Sequence, residues 1–139
     1  MKKRLAFLLA ILFLVVALAA CAPANTVTVA DEQLNFVKLD QPKTYSELTP
    51  SQGNELLVLK FTAQNENPNL TKISEAFFGE TPSTLSNGTN SYPCKSIAFE
   101  KSAEKIIIAL VFDVPADFKT AASKLTLSDS AFKTIELNI

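Results

Sequence analysis

ELLVLKFTAQN, residues 55–65, decides the fold. Leu57, Leu59, Phe61 and Ala63 fall on alternate positions, with Leu56, Val58, Lys60, Thr62 and Gln64 between them. That period of two puts one set on each face of an extended strand, and the first set is predicted to face the core. Further on, Ile106 to Phe112 (IIIALVF) is almost continuously apolar, which marks a central strand covered on both faces. Thr26 to Val29 and Gln33 to Leu39 predict the opening strands, and Ile97-Ala98-Phe99 predicts another. Lys124 to Leu127 and Phe132 to Leu137 predict a closing pair.

The segments between these strands carry turn chemistry. Asp40 to Asn54 holds Pro42, Pro50 and Gly53 and reads as a polar connection crossing between sheets. Asn65-Glu66-Asn67-Pro68-Asn69 makes a turn, because proline fixes φ and asparagine tolerates tight geometry. Leu70 to Phe78 reads as one short strand, and Gly79 to Tyr92 as a mobile edge around Asn87-Gly88, a pair suited to a type I′ turn. Pro115 to Ala122 reads as one or two helical turns laying Phe118 on the core. About seven to nine short strands with turns roughly every 8 to 12 residues predict an all-β domain, a two-sheet antiparallel sandwich.

The start of the chain obeys different rules. Lys2, Lys3 and Arg4 precede an uncharged apolar run from Leu5 to Ala20, the n-region and h-region of a signal peptide. The run is shorter than the roughly 20 residues that span a bilayer, so length alone leaves an uncleaved membrane helix open. Leu18-Ala19-Ala20-Cys21 resembles the lipobox of bacterial lipoproteins. The resemblance implies that diacylglycerol is joined to the Cys21 sulfur as a thioether, with palmitate-type acyl chains. Cleavage between Ala20 and Cys21 then leaves Cys21 as the mature N-terminus. Two acyl chains give durable attachment where one gives a marginal one. The expected division is a cleaved signal peptide over 1–20, lipidated cysteine and tether over 21–25, and the domain over 26–139. The expected location is the cell membrane, lipid-anchored and facing outside the cytoplasm. Ala22-Pro23-Ala24 span only about 10 to 14 Å, so the domain sits close to the headgroups.

Composition narrows the chemistry. The chain has 139 residues, no histidine and no tryptophan, and its only methionine and arginine are Met1 and Arg4. Without histidine, catalytic triads, most catalytic zinc sites and soft copper sites lose their usual base or ligand. Without arginine beyond the signal, bidentate clamping of phosphate or carboxylate is unavailable. Loss of Lys2, Lys3 and Arg4 leaves ten lysines against fourteen acidic side chains, a net charge of −4, which pushes the domain away from anionic headgroups and nucleic acid, so attachment rests on the lipid and not on charge. With Cys21 consumed by lipid, Cys94 has no partner for an internal disulfide. It reads as a half-buried strand residue in preference to a reactive or intermolecular thiol.

The mature domain resembles a family of small bacterial lipoproteins with an immunoglobulin-like sandwich of unknown function, related to immunoprotective extracellular proteins. The residues that carry the likeness are the lipobox, the alternation from Leu57 to Asn65 followed by Asn67, the run Phe112-Asp113-Val114-Pro115, and the closing pair around Leu125 and Ile135. The family's mid-domain hairpin is compact, whereas Gly79 to Pro93 is long and serine-rich here. The resemblance implies no established reaction.

Candidate sites are few. Asp31, Asp113, Asp117 and Asp129 could in principle gather oxygens for calcium, but aspartates at strand ends more often accept backbone hydrogen bonds, and no metal or other cofactor is expected. Glu100 and Glu104 could pair as in glycoside hydrolysis, yet Lys101 and Lys105 interleave them as in a solvated turn. Asn69-Leu70-Thr71 and Asn87-Gly88-Thr89 fit the glycosylation acceptor pattern, which a bacterial lipoprotein rarely uses. Tyr45, Tyr92 and Phe78 are the aromatics outside the core alternation, and Phe78, Asn87, Gly88 and Tyr92 form a candidate interaction loop. The expected function is a non-catalytic binding domain for an envelope protein or polymer. A small solute-capturing lipoprotein of a transport or envelope system is the alternative, and a hydrolase ranks below both.

Overall fold

The computed structural model describes residues 26–118, 124–128 and 134–138, the last two segments through their backbone pairing. The strands are β1 (Thr26–Val29), β2 (Glu32–Asp40), β3 (Asn54–Ala63), β4 (Thr84–Ser86), β5 (Ser91–Ser102), β6 (Lys105–Pro115), β7 (Lys124–Ser128) and β8 (Thr134–Asn138). One helix, α1, spans Leu70–Phe78. All pairings are antiparallel, in the order β1-β2-β3-β6-β5-β4-β7-β8. The all-β class and the strand count agree with the sequence pattern. The strands follow one continuous order, in which β5 pairs β4 over residues 91–93 and β6 over residues 94–102.

Strand alternation places the core as the sequence predicts. Leu57, Leu59, Phe61 and Ala63 of β3 join Ile108, Leu110, Phe112 and Val114 of β6 on one face, all of them buried. β6 lies between β3 and β5, so its continuous apolar run is buried on both faces, as expected. Phe118 also packs into this core, from the turn after β6, where its amide donates to the Pro115 carbonyl. The remaining helical turns expected up to Ala122 lie outside the described residues.

Three expectations need correction. Leu70 to Phe78 is a helix. The Asn69 side chain accepts from the Lys72 amide at 3.1 Å and caps it, and Ile73 and Phe77, four residues apart, bury one stripe against the core. The stripe is short enough to pass for strand alternation in a nine-residue run. The helix stops at Gly79, where a Cβ would stand 2.6 Å from the Glu75 carbonyl oxygen.

Gly79 to Tyr92 is not an edge. It carries β4, which lies between β5 and β7. Ser83, buried, donates from its amide and its hydroxyl to the Phe77 carbonyl, and its own carbonyl accepts from the Cys94 amide at 2.7 Å. Leu85 is fully buried beyond it. The Asn87-Gly88 pair does begin a hairpin turn, with four residues between Ser86 and Ser91 and Gly88 at φ +93°.

The Asp40–Asn54 connection does not cross between sheets, because β2 and β3 are neighbours. It folds back as a strap over the second face, where Tyr45 and Leu48 cover Leu56, Val58, Ala109 and Val111. The β1–β2 hairpin turns at Ala30 and Asp31, both at positive φ, the geometry a two-residue hairpin requires.

Candidate functional site

The densest polar constellation among the described residues lies under the strap. Lys60 projects from the middle of β3 on the second face, beyond Leu56 and Val58, with only 18% of its side chain exposed. A lysine that covered keeps its charge only beside opposite charges. Asp40, at the end of β2, stands 3.6 Å from the Lys60 ammonium, and Glu100 of β5 stands 3.7 Å from it. Lys38 adds a second contact to Asp40 at 3.1 Å. Tyr45 completes the group from the strap: its hydroxyl donates to Glu100 at 2.5 Å, and its ring centroid lies 6.0 Å from the Lys60 nitrogen.

Burial pushes the Tyr45 hydroxyl well above its ordinary value of 10.0, and the Glu100 and Asp40 charges push in the same direction. Tyr45 is therefore held as a neutral donor. The constellation joins residues 55 positions apart and fastens the strap to the sheet.

The two ends of the strap are fastened separately. Near its start, the Gln41 side-chain amide donates to Glu55 at 2.6 Å. Near its end, the Ser51 hydroxyl and amide both donate to the Asp113 carboxylate. Burial alone would raise the Asp113 carboxyl; the Ser51 and Asn54 hydrogen bonds, aided by the Lys95 charge, outweigh it and hold the carboxyl below its ordinary value. Between them, Tyr45 and Leu48 exchange two backbone hydrogen bonds of 3.1 and 2.9 Å.

The residues singled out from the sequence disperse. Asp31 is a hairpin-turn residue, Asp113 holds the strap, Asp117 lies in the turn after β6, and Asp129 lies outside the described residues. No group of three or more metal-ligating side chains occurs among the described residues. Glu100 is taken up by Tyr45 and Lys60, whereas Glu104 lines open depressions beside the β5–β6 turn with Lys105 and the Asn65–Asn67 loop. The loop asparagines are themselves committed: Asn65 and Asn69 donate to Glu32, and Asn65 accepts from the Asn67 amide.

Within the candidate interaction loop, Phe78 is exposed at the end of α1, and Asn87 and Gly88 occupy the β4–β5 turn. Tyr92 is drawn into the core, edge-on to Phe118 at 5.2 Å. Both glycosylation-type asparagines use their side chains locally, Asn69 as the helix cap and Asn87 as acceptor from the Thr89 and Asn90 amides.

Cys94 is buried, 2% exposed, and burial pushes its thiol up to about 11. That matches the strand-residue reading. Cys21 and Leu18-Ala19-Ala20 lie outside the described residues. No described helix is long and apolar enough to cross a membrane.

The Lys60 constellation was missed from the sequence, although it left a signal. Lys60 breaks the apolar second face of β3, and a lone charge in a central strand implies a carboxylate nearby. Which carboxylates supply it depends on register, which the sequence does not state. No protein-family model, curated protein or solved structure matches this chain.

Proposed function

We propose that this chain is a lipoprotein held on the outer face of the cell membrane by diacylglycerol on Cys21, and that its β domain is a non-catalytic binding module for an envelope protein or polymer. The observation that carries the reading is the lipobox-like Leu18-Ala19-Ala20-Cys21 at the end of the apolar run from Leu5 to Ala20. The arrangement of the domain supports the second half. Its central charged groups hold the strap, its apolar alternation is spent on the core, and the depressions around Glu104 are open and shallow. Surface loops and sheet edges are then the parts left for a partner.

Envelope pull-down with the lipidated chain tests the binding half. Capture of a discrete envelope component, absent from a control with Cys21→Ser, is the expected result. Recovery no different from that control counts against it. A solute-capturing role would show instead as a melting-temperature rise with one compound of a metabolite library.

A further inference from the structure

We propose that the β1–β2 edge of the sheet rests on the lipid surface, with Val37 in contact with the boundary between headgroups and acyl chains. This rests on the Cys21 anchor proposed above and adds an orientation to it. The first ground is where the tether lands. Among the described residues β1 is the outermost strand and pairs only with β2, and it opens at Thr26. Only Ala22 to Asn25 separate that point from Cys21, five Cα–Cα steps or at most about 18 Å of chain. A domain of this size has a radius of gyration of about 13 Å, so its far side lies beyond that reach and the β1–β2 edge lies within it.

The second ground is what the edge displays. Thr26 pairs with Asn35, and beyond that pair β2 runs on to Asp40 with β3 on one side and, among the described residues, no strand on the β1 side. Two residues beyond Asn35, about 7 Å along the strand, a β-bulge between Phe36 and Lys38 leaves Val37 outside the pairing. Val37 is the most exposed large apolar residue described, at 54%. The other two are placed differently: Phe99 is on β5, three strands from β2 and so about 14 Å away, and Phe78 ends α1.

Free sheet edges are usually blunted by charge, and here an exposed valine lies two residues past the Thr26–Asn35 pair. Of the three exposed large apolar residues described, Val37 is the one on the strand that pairs with β1.

The absence of tryptophan from the chain supplies a clean probe. Val37→Trp and Thr89→Trp are made separately in the full chain, isolated from membranes and reconstituted in vesicles whose lipids carry bromine high on the acyl chains. Thr89 is exposed in the β4–β5 turn, four strands away in the sheet order. Val37→Trp should lose most of its emission and shift to the blue, while Thr89→Trp keeps its emission. Equal quenching of both, or of neither, overturns the orientation and leaves the anchor standing. Shielding of Val37→Trp from an aqueous quencher without quenching by brominated lipid also overturns it, in favour of a protein strand on that edge. If the isolated chain carries no lipid on Cys21, the anchor reading itself has failed and the orientation goes with it.

Discussion

On one face of β3 and β6, Leu57, Leu59, Phe61, Ile108, Leu110 and Phe112 meet a helix; on the other, Leu56, Val58, Ala109 and Val111 meet a length of coil. The two covers differ because a helix satisfies most of its own backbone and can devote a whole stripe, Ile73 and Phe77, to the core. The ring of Phe77 stacks on Phe61 at 6.2 Å, and Phe61 meets Phe36 at 5.5 Å. A coil has no internal ladder, so its amides and carbonyls need outside partners. The strap brings only Tyr45 and Leu48 to the apolar patch and is fastened by polar contacts along its length: Gln41 to Glu55, Tyr45 to Glu100 and Ser51 to Asp113. One face is held by apolar burial, the other by specific hydrogen bonds.

That contrast is broken most forcefully at Phe61. Phe61→Ala removes a fully buried ring from the helix-covered face and should cost about 3 to 5 kcal/mol, read as a lower denaturant midpoint with unchanged slope. On the strap-covered face, Tyr45→Phe keeps the ring and loses only the hydrogen bond to Glu100. A loss of about 1 to 2 kcal/mol is expected, because the acceptor is charged.

The same substitution carries a pH signature. The folded state favours the neutral Tyr45 hydroxyl, so its contribution is full below the ordinary value of 10.0 and falls as pH rises above it. Buried Cys94 adds a parallel loss between its ordinary 9.0 and about 11. Unfolding curves across pH 9 to 11 should therefore fall less steeply for Cys94→Ala than for the natural chain, and above pH 10 less steeply for Tyr45→Phe.

Smaller effects separate the covers further. Asn69→Ala removes the helix cap and should cost about 1 kcal/mol by thermal or denaturant unfolding. Asp113→Asn weakens an exposed fastening at the end of the strap and should cost below about 1 kcal/mol. It should, however, speed amide exchange over residues 41–53 while Leu57 to Phe61 keep their protection. Equal acceleration in both segments would mean that the strap and the sheet open together.

The strands were legible because period two is local: β3 and β6 each declare both their extent and their buried face within about ten residues. The helix was less legible: Leu70, Ile73 and Phe77 stand three and four apart and all pack on the core, but that is a short stripe, and the Asn69 cap reads equally as a turn residue. β4 was hidden for another reason. A three-residue strand of Thr, Leu and Ser has the composition of a loop, and its place is fixed by Ser83 bonding to Phe77 and Cys94, contacts 6 and 11 positions apart. Strand order is a property of such distant pairings, which turn spacing alone does not state.

Both covers consume the groups that might otherwise serve a ligand, which directs attention to the edges and to the membrane beside them. The most direct test of the account is the intact mass of the chain extracted from membranes with detergent. A mature species beginning at Cys21 and heavier by a diacylglyceryl group is predicted. A species that retains Leu5 to Ala20, or one that begins at or beyond Cys21 without lipid, would contradict it.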